Sequence, residues 1–170
     1  TYVGISGAVS GLIPGYTESR IANPAGSAGC CSGGIASGGG TLVPGNGKLK
    51  FASLTDGLSN TLVVSENGDF LTTVSGAKVD WRASAQHGWV IGFHNHAPPP
   101  ANNGGDNRTF NMTTVRWPIN DKKGRSQGAG WPDAPGNCGG VGVCDNASTN
   151  LPLNAAHPGG VMGLMGDGSV

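Results

Sequence analysis

The stretch HPGGVMGLMGDGSV, residues 157–170, sets a His-Pro-Gly-Gly turn ahead of an Asp-Gly. Between the two lies GVMGLM (160–165), short, apolar and bounded by glycine, which reads as a strand. At about 3.3 Å per residue, the ten positions from His157 to Asp167 would span roughly 33 Å. Residues that far apart share neither a metal nor a proton. GDGS (166–169) reads as a two-residue hairpin turn, with Asp167 and Gly168 at positive φ. Pro158 drives His157 toward extended backbone. The two motifs therefore punctuate opposite ends of one strand. A hairpin turn needs a returning strand, supplied by chain outside this sequence or by TYVGI (1–5) of the same or a neighbouring subunit.

Outward from this stretch, strand signals outnumber helix signals. KLKFAS (48–53), TLVVSE (61–66), FLTTV (70–74), KVDWRA (78–83), GWVIGF (88–93) and MTTVRW (112–117) are short and bounded by turn residues. Leu49 and Phe51 alternate with Lys48 and Lys50, and Val79 and Trp81 alternate with charged neighbours. ENGD (66–69) predicts a hairpin over Thr61–Val74. At most a short helical turn fits SLTDGLSN (53–60), capped by Ser53 or Thr55. The predicted fold is mainly β, α+β at most: one domain over 1–170, a glycine-rich antiparallel sheet with long ordered loops at 94–109 and 119–140. Trp81, Trp89, Trp117 and Trp131 are the expected core or interface anchors.

Composition narrows the function. Glycine occupies 32 of 170 positions without a three-residue period, so the chain is not collagen. Ten basic residues balance ten acidic ones, and charged residues are only 12%. Bulk charge thus attracts neither nucleic acid nor an anionic membrane. No apolar run is long enough to span a bilayer, and the sequence opens without a visible signal peptide. A weakly charged, neutral surface resists self-association poorly, which suits a chain that assembles. The spacings of Cys30, Cys31, Cys138 and Cys144 do not fit zinc. They read as two disulfides in an oxidising compartment, against the alternative of four buried thiols. Cys138–Cys144 with Cys30–Cys31 is one pairing. Two long-range bridges are the other, and the strain of an adjacent-cysteine bond favours them.

Each candidate site has a plainer reading beside it. DGLSN (56–60) offers the hard oxygens of Asp56, Ser59 and Asn60 to calcium, but not in an EF-hand pattern. Asx-type turns that bond nearby backbone explain it better. His94 and His96 could join His87 and His157 at a metal, but a third identified ligand is lacking, so no metal site is assigned. No nucleophile elbow, phosphate loop or cysteine–histidine signature appears, so no catalytic residue and no cofactor is assigned and the chain is not read as an enzyme. Asn107, Asn111 and Asn146 head N-x-[ST] sequons and are candidate glycan sites.

LTDGLSNTLVVSE (54–66) resembles a D-G-x-S-N-T signature followed by a strand and a glutamate, carried here by Asp56, Gly57, Ser59 and Asn60. HPGGVMGLMGDGSV resembles a closing signature of His, nine residues, then Asp-Gly, matched by His157, Asp167 and Gly168. TYVGISG is similar to a first head-domain strand. Together these resemble the H-x9-DG prepilin-type family of bacterial proteins of unknown function. The resemblance implies an exported, cell-surface protein with a β-rich, pseudopilin-like head on an N-terminal hydrophobic helix. That helix and the strand after D-G-S-V are absent from this sequence, so the head is expected to be incomplete at both ends. The expected function is a structural subunit of an extracellular filament, pilus-like fibre or surface layer that partners copies of itself. The alternative is a monomeric extracellular module that binds a glycan or a protein, favoured if the Trp131 of GWPD is exposed.

Overall fold

The computed structural model describes residues 1–22, 34–45, 47–83, 92–93 (backbone only), 97–101, 108–124, 129–133 and 140–170. The fold is mostly β, as the alternation and turn signals require. Its main sheet has four strands: β1 (Tyr2–Ala8), β4 (Leu62–Glu66), β9 (Met112–Val115) and β10 (Gly163–Met165), in the order β10-β4-β1-β9. β1 and β10 both run antiparallel to β4, while β9 lies parallel to β1. The sheet is therefore mixed rather than purely antiparallel. The described residues also form two-stranded ribbons: β2 (Ile21–Ala22) with β3 (Ala36–Ser37), β5 (Leu71–Thr72) with β6 (Lys78–Val79), and β7 (Gly92–Phe93) with β8 (Thr109–Phe110).

Several expectations are corrected. The hairpin over Thr61–Val74 does not form, because β4 pairs with β1 and β10 and β5 pairs with β6. Asn67 bridges Asn154 in parallel, and its fully buried amide donates to Pro152 O (2.8 Å) and accepts the Ala83 N–H (2.6 Å). KLKFAS is not a strand: Phe51–Ser53 is a 3-10 turn and Phe51 is exposed. A second 3-10 turn covers Leu58–Asn60, and neither turn has a side-chain cap. TYVGI cannot pair with a strand returning after Asp167, since β4 and β9 occupy both of its edges.

The core lies against β1. Val3 and Ile5 pack with Leu71, Val143, Leu151 and Leu153, and with Trp117 and Trp131. These two indoles meet edge to face, centroids 5.1 Å apart at 72°. Trp131 is fully buried, so GWPD presents no aromatic face to solvent. Trp81 is half-buried against the same core, and Trp89 lies outside the described residues.

With so few long strands, side-chain amides complete the backbone's hydrogen bonding. Asn150, fully buried, donates to Ile35 O (2.9 Å) and Thr114 O (3.0 Å) and accepts the Ile35 N–H (2.8 Å). Gly142, at φ +76°, makes room for it: a Cβ there would sit 2.1 Å from Asn150 Oδ1. Replacing this amide leaves buried backbone groups unpaired, at about 1–3 kcal/mol each. Asn150→Ala is expected to lower unfolding stability by roughly 3 kcal/mol or more. A urea-unfolding midpoint unchanged from the parent chain would contradict that role.

Candidate functional site: an edge strand held between two motifs

β10 is the outer strand of the main sheet, and both sequence signatures fasten it to β4. The first works at the start of β4. Gly57, the second residue of DGLSN, adopts φ +85° and leads into the 3-10 turn Leu58–Asn60. The turn closes through side chains that bond main chain: Asn60 Nδ2 donates to Asp56 O and Thr61 Oγ1 to Gly57 O, both at 2.9 Å. Asp56, Ser59 and Asn60 are exposed. Thr61 O then accepts the Gly166 N–H (2.8 Å) and Leu58 packs over Gly166, so the two Asp-Gly motifs meet at one end of the β4–β10 pair.

The turn after β10 differs from the expected two-residue form. Gly168 N–H donates to Met165 O (3.0 Å) and Met165 N–H to Ser169 O (2.8 Å). Only Gly168 takes positive φ (+90°), while Asp167 does not. This is a three-residue loop closing on a left-handed glycine. Asp167 orders it by accepting both the N–H (3.0 Å) and the Oγ–H (2.8 Å) of Ser169 on Oδ1, which hold its carboxyl below the ordinary range.

His157 works at the far end of β4. Glu66 N–H and Ser65 Oγ–H both donate to Met162 O at 3.0 Å, and Glu66 Oε2 accepts the Met162 N–H (3.3 Å). The same Oε2 lies 3.0 Å from His157 Nε2, while Nδ1 lies 3.2 Å from Pro158 O. Both ring nitrogens thus face acceptors, and only the imidazolium donates to both. The Pro158 carbonyl first, then Glu66, raises the His157 pKa. Partial burial opposes the charge of Glu66, but the Met162 N–H and His157 outweigh it and hold that carboxyl below its ordinary value.

His157 and Asp167 therefore sit at opposite ends of a strand pair about 13 Å long, counting four residue steps along β4. They share no chemistry. Glu66, the partner of His157, was not singled out as a site residue. Its signal was its place as a carboxylate closing the strand that DGLSN opens, in a chain with few charges. Cys144 is disulfide-bonded, while Cys30, Cys31 and Cys138 lie outside the described residues. So do Asn107, His87, His94 and His96. Asn111 is half-buried at φ +51°, and the Thr113 of its sequon is fully buried and donates to Leu151 O (2.8 Å). Asn146 is half-buried. Among the described residues no group of three His, Cys, Asp or Glu side chains converges, and no helix is long and apolar enough to cross a membrane.

Residues 15–170 match the family described as "Protein of unknown function (DUF1559)". The chain belongs to that family. The match takes in both signatures and every contact that fastens β10 to β4. No curated protein and no solved structure matches the chain.

The His157–Glu66 contact is expected to be pH-dependent. Folded His157 keeps its proton to higher pH than an unfolded histidine. Its contribution is therefore complete below about pH 6.5 and fades as pH rises through the raised folded value. The contribution of Glu66 is present above the ordinary carboxylate range and fades as pH falls through its lowered value. In an NMR titration, His157 should titrate above the usual histidine value, and Glu66→Gln should bring it down. A titration that Glu66→Gln leaves unchanged would remove the pair from the clasp.

Proposed function

We propose that this chain is a structural subunit of an extracellular, pilus-like filament or surface layer, built by strand addition at the β10 edge and without a catalytic role. The observation that supports it is the flank of β10. β4 lies on one side, and among the described residues no strand lies on the other. The loop after β10 turns back along that flank through the Met165–Ser169 contact. Met162, Leu164 and Val170 are exposed along this margin, at 47%, 39% and 78%. An uncovered strand edge with apolar side chains is a template for another strand. Zero net charge favours association. The disulfide at Cys144 fits an oxidising, extracellular compartment. The likeness of both signatures to prepilin-type bacterial surface proteins points the same way.

Electron microscopy beside sedimentation tests this reading. The parent chain should form filaments or sheets, and Leu164→Lys, which places a charge on the edge, should release it as single subunits. A monodisperse one-chain particle for the parent, or a polymer indifferent to Leu164→Lys, overturns it. The second reading, a monomeric binding module, gains support from a cleft beside the end of β1 and the start of β4.

A further inference from the structure

Residues 8–20 and 49–61 enclose a cleft of about 380 Å³, close to the strand end Ala8 and to Thr61 at the start of β4. That volume falls in the range of about 300–1,000 Å³ usual for small-ligand sites. Its floor is a charged group with unusually complete bonding. Glu18, only 7% exposed, accepts the Arg20 backbone N–H (2.8 Å) and Nε–H (2.9 Å) on Oε1. Its Oε2 accepts Arg20 Nη2–H (2.9 Å) and the Tyr16 hydroxyl (3.2 Å). Burial works against this carboxylate, but Arg20 and Tyr16 keep it ionised. Gly39 allows the arrangement, since a Cβ there would lie within 2 Å of Glu18 Oε2. The fork-to-fork pair is fixed, and it orients Arg20 and Tyr16 at the cleft.

The walls state what would fit. Tyr16 and Ile13 are about half exposed and offer a flat apolar side. Leu54 lies on the wall from 49–61, with the hydroxyl of Thr55 and the exposed carboxylate of Asp56. Arg20 Nη1 has no partner among the described residues and can only donate, whereas the Asp56 carboxylate can only accept. A small anion would meet Asp56 and a guanidinium already neutralised by Glu18. A simple cation would meet Arg20. A neutral ligand that both donates and accepts, and has one apolar face, satisfies every wall. We infer that this cleft binds a neutral saccharide unit, with its C–H face on Tyr16 and its hydroxyls between Arg20 and Asp56.

The site is tested in Leu164→Lys, which is expected to remain as single subunits. Cellobiose, maltose and the disaccharide of N-acetylglucosamine are titrated while amide resonances are followed, with glycine as a zwitterionic control. At least one disaccharide should shift the resonances of Ile13, Tyr16 and Thr55 in that chain. Tyr16→Ala and Asp56→Ala should each weaken that binding about tenfold, the loss of one ring contact or one hydrogen bond. Both positions are exposed, and dispersed spectra would show that the variants fold. Shifts that map elsewhere, affinity unchanged in both variants, glycine binding in place of the sugars, or no response to any disaccharide would each overturn the assignment.

Discussion

Three buried asparagines carry the constraint on which the rest of this structure depends. Asn67, Asn150 and Asn154 are each fully buried. Among the described residues just one sheet has more than two strands, which leaves much of the interior backbone without a ladder partner. The asparagine amide has the same donor and acceptor as a peptide group and fills those places. Asn150 ties residue 35 to β9, and Asn67 ties the end of β4 to 83 and 152. Asn154 bonds Glu66 and Gly68 through its backbone and Asp69 through its side chain, continuing the sheet past its last strand. Long irregular segments can be held this way because each amide reaches backbone far away in sequence.

β1 is the mechanical centre of the result. One of its edges holds β4, and through β4 the fastened edge strand β10. Its other edge holds β9, and its register shifts between Ile5 and Gly7. At that irregularity Ser6 O accepts the Gly40 N–H (2.7 Å), while Ser6 Oγ bonds Thr114 Oγ1 (2.7 Å). Gly39 and Gly40 go on to line the cleft above Glu18. Thr61 lines that cleft and its carbonyl also accepts the Gly166 N–H, so the proposed saccharide cleft reaches the end of β4 where β10 is fastened.

Much of this was legible from residue order. β1, β4, β9 and β10 fall inside apolar or β-branched runs bounded by turn residues, because side chains that pack on a pleated sheet are the ones such runs supply. The Asp-Gly punctuation of both signatures was legible too, since only a few residues tolerate the backbone a tight turn needs. ENGD misled because Asn-Gly reports a local preference. Burial of the Asn67 amide against residues 83 and 152 outweighs it. KLKFAS misled because alternation describes a strand only where a sheet is present to receive it.

The sequence by itself determined a β-rich, charge-poor chain in which the His157 turn and the Asp167-Gly168 turn bound a strand rather than share a chemical centre. Periodicity, turn chemistry and the reach of extended backbone are all local properties. Only the tertiary structure decided that DGLSN meets the turn after β10 at one end of the β4–β10 pair, that Glu66 is the partner of His157, that β9 joins β1 in parallel, and that Tyr16, Glu18 and Arg20 floor a cleft walled by Asp56. Each joins residues far apart in the chain. Their proximity follows from which strands share edges and which buried amides find partners, and neither is encoded in any short stretch.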